Sequence, residues 1–400
     1  MQFNSFAKKN VQRYILKFIC LEVYMFIRLA CLFLGKIETM RIFIVCLLLI
    51  GLSSCKDDYK RPAVVTKVII EPIAEDSLFS IRALEFNEEY IFYGSADHFG
   101  KQALDGQFKI NLNEFSAKES KEHYRNVITY DDKPLHFRAI KELEGHLFAI
   151  SISNPARLYK LYRKSNKPKL VYEEVNEKVF YDSIDFWNDQ EGIAIGDPTD
   201  DCMSIIITRD GGDTWSKLSC DDLPKAKEGE AAFAASDTNI AIIGDHTWVA
   251  TGGKASRIMY SPDKGNTWEV YDTPIIQGSE TTGMYSIDFY DQKNGLAIGG
   301  DYTKPNDTLN NKIRTSDGGK TWQVVANGKG PGYRSCVQYI PNRNGRELVA
   351  IGFKGIDYSN DSGDSWKHLS DEGFYTLRFL NDSVAYAAGN GRISKLIFRN

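Results

Sequence analysis

The stretch Thr208-Arg-Asp210-Gly-Gly212-Asp-Thr214-Trp215 decides the fold, because its pattern [ST]-x-D-x-G-x-[ST]-W occurs four times in the chain. The other copies run over 261–268, 315–322 and 359–366. Their aspartates follow one another at intervals of 53, 54 and 44 residues, and are Asp210, Asp263, Asp317 and Asp361. A recurring period of this length predicts a repeat architecture in which each copy belongs to one structural unit.

The residue types in this pattern suit a tight hairpin. Asp side chains accept backbone N–H groups in turns, Gly adopts the positive φ that such turns need, and a Trp ring packs beneath the turn. The tryptophans that close the copies are Trp215, Trp268, Trp322 and Trp366. We therefore expect the four aspartates to stabilise turns rather than to bind calcium or act in catalysis.

The pattern resembles the Asp-box, or BNR repeat, of sialidase-like and related β-propellers. With GIAIGDP at 192–198 ahead of a DGG-x-TW hairpin, residues 177–370 are similar to the photosystem II stability/assembly factor-like branch. That resemblance implies a non-catalytic binding propeller. Sialidases normally have six blades and an F/Y-R-I-P motif, and the nearest string here, Phe137-Arg138-Ala139-Ile140, lacks the proline.

Strand patterns extend the count of units to seven. An apolar strand ending in Gly or Ser recurs as IFYGS (91–95), LFAIS (147–151), GIAIGD (192–197), IAIIGD (240–245), GLAIGGD (295–301), LVAIGF (348–353) and VAYAAGN (384–390). Each follows another short strand: SIRALEF, HFRAIKE, YDSIDFW, GEAAFAA, MYSIDFY, GYRSCVQ and FYTLRFL. These units predict an all-β, seven-bladed β-propeller. The last unit stops at Asn400 after three strands, so we expect the β-branched run at 63–70 to close the ring.

Aligning the seven inner strands places a polar or phenolic residue at one shared position, followed each time by a small residue. The shared position holds Arg82, Arg138, Asp182, Glu230, Tyr285, Arg334 and Tyr375. Because side chains alternate along a strand, we expect these seven to form a ring around the central channel. We expect loops at 244–257 and 299–312 to wall a pocket there, with Asp197, Asp245 and Asp301 at the loop bases.

Three interpretations of this ring stay open. Its three Arg and two carboxylates could neutralise one another and plug the channel. Alternatively, guanidinium groups and phenols could hold a protein or an anionic glycan at the channel mouth. The third interpretation is a sialidase-type glycosidase that uses Tyr285, Glu230 and Asp182. None of the three involves a cofactor, and the six His residues show no metal-binding spacing.

The N-terminal region predicts export. From Met40 an Arg precedes an apolar run, and Leu52-Ser53-Ser54-Cys55 resembles the lipobox of bacterial lipoproteins, which implies cleavage before Cys55 and its acylation. We divide the chain into an upstream extension (1–39), a signal peptide (40–54), a tether (55–62) and a propeller (63–400). The tether begins Lys56-Asp57-Asp58 and resembles a tag for surface export, so we expect an outer-membrane lipoprotein at the cell surface, or otherwise in the periplasm.

The composition of the chain limits the kinds of partner that it can bind. The formal charge of -4 and the pI near 6.0 lack the basic excess that nucleic-acid binding needs, so we expect no nucleic acid partner. We expect a monomer attached to the membrane through its lipid. Cys202 and Cys220 face each other across the hairpin of the first box, and an oxidising compartment predicts a disulfide between them.

Overall fold

The computed structural model describes residues 64–104, 123–162 and 167–400. Regular secondary structure in these ranges is entirely β-strand, and within them we find no apolar helix long enough to cross a membrane. The predicted signal peptide, the predicted lipid acceptor Cys55 and the predicted tether lie outside the described residues.

The strands form seven four-stranded antiparallel blades around a central channel, which confirms the predicted fold. The inner strands are Ala83–Phe86, Phe137–Leu143, Tyr181–Phe186, Ile240–Ile243, Thr282–Phe289, Cys336–Tyr339 and Thr376–Phe379. The second strands are Tyr90–Gly94, His146–Ser151, Gly192–Gly196, His246–Ala250, Gly295–Asp301, Leu348–Gly352 and Val384–Ala388. The third strands are Phe99–Ala103, Ala156–Leu161, Ser204–Thr208, Arg257–Ser261, Lys312–Thr315, Gly355–Ser359 and Asn390–Arg399. The outer strands are His123–Asn126, Lys169–Glu174, Ser216–Lys217, Glu269–Asp272, Gln323–Val324, Lys367–Ser370 and, for blade seven, Lys67–Ser80.

Four short strands complete the set. Thr129–Tyr130 and Lys133–Pro134 form a small hairpin between blades one and two. Glu230–Ala231 and Gly252–Gly253 pair with each other, and Gly252 also joins the inner strand of blade five.

The strand nearest the N-terminus closes the ring, as predicted. Lys67–Ser80 pairs antiparallel with Asn390–Arg399, and Ile70 lies opposite Leu396. Blade seven therefore takes its outer strand from the start of the propeller and its other three strands from the end. Backbone hydrogen bonds within blade seven therefore hold the two ends of the propeller together.

Hydrophobic side chains pack between neighbouring blades and form the core. Between blades two and three, Phe148 lies 4.7 Å from Phe186, and Phe186 lies 5.6 Å from Trp215, measured between ring centroids. Trp215 ends the first box, so the box ties its turn to the interface between two blades. Aromatic pairs in such geometry add to the free energy of burial.

Blade four differs from the prediction by one strand. The apolar run at 240–245 looks like a second strand in composition, but Ile240–Ile243 is the inner strand and His246–Ala250 is the second. The segment GEAAFAA at 229–235, which we expected to be the inner strand, lies outside this blade.

This shift also corrects the expected loop at 244–257, which contains the second strand of blade four. Asp245 is not among the residues that line the cavity at the channel mouth. It belongs to the turn before that strand, and its carbonyl accepts the N–H of Lys264 in the second box turn, at 2.9 Å.

Candidate functional site

All four box patterns form turns between the third and outer strands of blades three to six. In the first turn, Asp210 accepts the N–H groups of Asp213 and Thr214 at 3.1 and 3.0 Å. The Thr214 hydroxyl donates to the same carboxylate at 2.6 Å. Partial burial opposes ionisation, but these donors hold the pKa of Asp210 at about 2. Asp263, Asp317 and Asp361 accept corresponding bonds.

The glycines of the boxes meet a geometric need. Gly212 has a φ of 80°, and a Cβ there would lie 2.2 Å from the Phe148 ring. The indole N–H of Trp322 donates to the carbonyl of Gly319 at 2.9 Å, and Trp268 and Trp366 bond their turns in the same way. Each box is therefore occupied by contacts within its own turn or with the adjoining blade.

A cavity of about 560 Å³ opens on the opposite face, where the inner strands begin. We call it the mouth pocket. It is lined by Arg82, Arg138, Phe180, Asp197, Ala231, Ala232, Phe233, Ala234, Ala235, Glu280, Tyr285, Tyr302, Tyr333, Phe353 and Tyr375. Four of the seven predicted ring residues, Arg82, Arg138, Tyr285 and Tyr375, thus meet in one cavity.

Backbone bulges direct ring residues toward the channel. The pairing of inner and second strands skips Arg138, Asp182 and Tyr285, since their neighbours pair and they do not. A bulged residue leaves the regular alternation and is re-aimed. The polar residue at the start of each of these inner strands is thereby turned away from the blade interior.

Arg82 and Arg138 form the cationic side of the mouth pocket. Among the described residues, neither guanidinium has an ion pair or a hydrogen bond, and the Nε of Arg82 is buried without a partner. The Arg82 guanidinium lies over the Tyr375 ring at 4.2 Å. Burial and then the neighbouring Arg82 lower the pKa of Arg138. The two side chains are therefore close enough to repel each other.

Aromatic side chains form the opposite wall. Phe233 stacks on Tyr285 at 4.0 Å, and Tyr333 meets Tyr285 edge-on at 4.8 Å. Tyr302 and Phe353 extend this wall to the rim, where 48% and 39% of each residue is exposed. The Tyr285 hydroxyl donates to the carbonyl of Thr281 at 2.9 Å, and burial raises the pKa of Tyr285 far above its usual value.

Two carboxyl groups, Asp182 and Asp197, lie next to the cationic side. Asp182 is fully buried, and neither oxygen makes a hydrogen bond of ordinary geometry within the described residues. Burial and then the charge of Asp197 raise the pKa of Asp182 well above its usual value, against the effects of Arg138 and the Ala234 backbone. Burial raises the pKa of Asp197 to about 6, although its carboxylate accepts the N–H of Ala232 at 2.7 Å.

Glu230 does not belong to the ring, which corrects the sequence prediction. It forms a buried ion pair with Arg257, whose Nη2 lies 2.5 Å from the Glu230 carboxylate. The Thr251 hydroxyl also donates to Glu230 at 2.7 Å. The cause is the strand shift in blade four, since Glu230 pairs with Gly253 and not with the inner strands.

Arg334 is also misplaced by the prediction, through a slip of one residue. Cys336 pairs with Ile351 as Ser286 pairs with Ile298 in blade five, so Ser335 holds the ring position. A one-residue slip reverses the face that a side chain points to. The buried Arg334 accordingly turns into its own blade, where its Nε donates to Asp357 at 2.6 Å.

The plug segment, residues 232–239, occupies the channel below the mouth pocket. Asp237 accepts the N–H groups of Ile140 and Ile184 at 2.9 and 3.1 Å, and the Ser183 hydroxyl at 2.9 Å. Ser236 donates to the carbonyl of Ser335 at 2.6 Å. The plug segment also contacts blades five and seven, through Thr238 with Ser286 and through Thr376 with Ser236. The residue that follows the ring position in each inner strand is small, and this leaves room in the channel for the plug segment.

Sequence reasoning missed a second polar ring, three residues after the first. It consists of Glu85, Lys141, Asp185, Asp288, Gln338 and Arg378. Lys141 lies 2.8 Å from Asp185, and Arg378 lies 3.2 Å from Glu85. This deeper ring makes the mutual ion pairs that the plug interpretation assigned to the first ring. A polar residue recurs there in six inner strands, so the sequence did carry the signal.

Cys202 and Cys220 form a disulfide with a Cα–Cα distance of 5.4 Å. It lies where the chain leaves blade three for the plug segment, and Cys202 also forms a β-bridge with Lys225. Cys336 is a buried free thiol.

Comparisons with known proteins identify the fold. No family model and no curated protein matches the chain. The structure of YCF48 bound to D1 peptide has a TM-score of 0.56 at 12% identity, and the match covers 85% of this chain and 100% of that chain. The RRP9 WD40 repeats give 0.55 at 11%, covering 85% and 99%, and U3-55K gives 0.54 at 11%, covering 83% and 98%. At these identities the similarity shows a β-propeller and nothing finer.

Proposed function

We propose that this protein is a non-enzymatic binding or assembly module that holds an anionic ligand in the mouth pocket. One observation carries the proposal: Arg82 and Arg138 lie close together at a cavity without any ion pair or hydrogen bond among the described residues. Guanidinium groups bind carboxylates and phosphates through paired N–H donors. A shared anion would relieve the repulsion between the two arginines.

A protein segment that carries a carboxylate fits the pocket best, and an anionic glycan is the second candidate. The aromatic wall reaches the surface at Tyr302 and Phe353. Exposed aromatic side chains around a pocket are typical of protein interfaces. YCF48, a structural neighbour, is a propeller bound to a peptide, which supports the same kind of use here.

The sialidase-type alternative lacks support in the geometry. Glu230 is paired with Arg257, so it cannot activate Tyr285 as a nucleophile would require. Arg334 is paired with Asp357, which leaves two arginines at the pocket where sialidases use three. We expect no release of dye from a fluorogenic sialoside, and turnover that Tyr285→Phe abolishes would revive the alternative.

We further propose that the chain is an exported lipoprotein of the Asp-box class, anchored at Cys55 on the outer membrane. The lipobox, the charged tether and the disulfide support export, because disulfides persist in oxidising compartments. Replacing Cys55 by Ala should move the protein from the detergent phase to the aqueous phase, since it removes the acyl anchor. Retention of Cys55→Ala in the membrane would contradict this proposal.

Titration calorimetry with two carboxylate probes tests the binding function. N-acetylphenylalanine represents an aromatic protein segment and N-acetylneuraminate an anionic sugar, and N-acetylphenylalaninamide is the uncharged control. We expect the first probe to bind most tightly, the amide not to bind, and Arg82→Gln to weaken binding. Arg209→Gln is the matched control, because Arg209 lies at a box turn and pairs with Glu191. Equal binding of acid and amide would refute an anion site.

A further inference from the structure

Two carboxyl groups lie at the mouth pocket, although a site for an anion would be expected to exclude negative charge. Asp182 is buried beside Arg138 without a hydrogen bond of ordinary geometry, and Asp197 lines the pocket itself. A buried carboxylate without hydrogen-bond donors of ordinary geometry is strongly unfavourable, so burial favours the protonated form of Asp182 in the free protein. Asp197 is better satisfied, since it accepts the N–H of Ala232. Asp197 is therefore the member of the pair that gains or loses a proton more readily.

Resting on the proposed function, we propose that binding of an anion in the mouth pocket takes up a proton at the carboxyl pair of Asp182 and Asp197. An ionised Asp197 repels an anion in the same cavity, and a protonated one does not. Burial places the pKa of Asp197 at about 6. The site should thus bind its anion more tightly in mildly acidic than in neutral solution.

Other charged groups around Asp197 do not remove this effect. Arg82, Arg138 and Glu280 face it across the mouth pocket. On its outer side a second cavity of about 470 Å³ contains, besides Asp197, the charged residues Lys178, Asp200, Asp201, Lys227, Glu228 and Glu230. Four of these are already paired, because Lys227 binds Asp272, Glu230 binds Arg257, Asp201 binds Lys225 and Glu228 lies 3.8 Å from Lys254. The remaining two, Lys178 and Asp200, carry opposite charges, so burial is the main effect that opposes ionisation of Asp197.

A pH dependence of anion binding could also come from His136, so the experiment must distinguish His136 from Asp197. His136 precedes Arg138 by two residues and is exposed, and partial burial of its ring and then the charge of Arg138 lower its pKa. Protonation of His136 in acid would also favour an anion. Asp197→Asn and His136→Asn distinguish the two groups, and Asn at position 197 keeps an oxygen that can accept the Ala232 N–H.

The test is calorimetric titration of the full chain with N-acetylphenylalanine at about pH 5 and about pH 7.5, in two buffers that differ in ionisation enthalpy. We expect about tenfold tighter binding at the lower pH, as removal of one like charge across a narrow cavity predicts. The buffer difference should report uptake of up to one proton. Asp197→Asn should bind at neutral pH as the unchanged protein does in acid, with no pH dependence.

Binding with the same affinity at both pH values, or a pH dependence that Asp197→Asn keeps and His136→Asn removes, would overturn the proton proposal and leave the binding function standing. Glu280→Gln removes another negative charge at the rim, and we expect it to strengthen binding equally at both pH values. Absence of binding at any pH would instead refute the proposed function.

Discussion

The box turns and the plug segment both hold an aspartate by hydrogen bonds, but the donors come from different distances along the chain. Asp210 takes its donors from residues three and four positions away. Asp237 takes its donors from residues 53, 54 and 97 positions away, in two other blades. A local motif is legible in the sequence because its partners are adjacent, whereas a central contact exists only once the ring has closed.

The largest loss of stability should come from removing the hydrogen bonds of Asp237 in the plug segment. Asp237→Ala leaves two buried N–H groups and the Ser183 hydroxyl without their acceptor, and each unsatisfied donor costs about 1–3 kcal/mol. We expect a loss of about 3–6 kcal/mol in the free energy of unfolding, measured by denaturant titration. A loss below about 1 kcal/mol would mean that the plug segment does not hold the blades together.

The second largest effect is expected at Arg334, which the sequence placed in the ring and the structure places inside its blade. Arg334→Ala would remove the guanidinium from the buried Asp357 and leave it with the exposed His368 ring, at 3.0 Å, at a cost of about 3–5 kcal/mol. Arg314→Ala is the matched control, since Arg314 pairs with the exposed Asp364 and should contribute about 1 kcal/mol or less. Equal melting temperatures for the two variants would mean that Arg334 does not stabilise its blade, and would favour the predicted position in the channel.

The disulfide is expected to rank third. It closes a loop between residues 18 positions apart, for which loop entropy predicts about 3 kcal/mol. Reduction should therefore lower the melting temperature, and the double variant Cys202→Ser, Cys220→Ser should be insensitive to reductant. Unchanged melting of the natural protein under reductant would show that the bridge adds no stability.

A single box turn should matter least. Asp317→Ala removes contacts within one exposed turn, and we expect a loss of about 1 kcal/mol. Comparison with Asp237→Ala is direct, because both changes remove one aspartate that accepts several hydrogen bonds. If Asp317→Ala proved the more destabilising, local turns rather than the centre would determine the stability of the ring.

The same contrast explains what the sequence could predict. The boxes, the seven units and the N-terminal closing strand rest on local patterns, and each appears in the structure. Arg82, Arg138, Tyr285 and Tyr375 reach the mouth pocket because their inner strands were aligned in the right register, although bulges rather than regular alternation direct Arg138 and Tyr285 there. Glu230 was misassigned because the apolar run at 240–245 has the composition of a second strand but forms the inner strand. Arg334 was misassigned because its strand was aligned one residue out of register. The plug segment could not be found, since it has no copy elsewhere in the chain.

The central claim is that Arg82 and Arg138 serve a ligand while Arg334 serves the fold. The most direct measurement is the affinity of Arg138→Gln for N-acetylphenylalanine, taken together with its melting temperature. We predict an unchanged melting temperature and a loss of binding of about ten- to a hundredfold, since a charge-assisted hydrogen bond contributes about 1.5–3 kcal/mol. Unchanged affinity, or a fall in melting temperature as large as that of Arg334→Ala, would contradict the account.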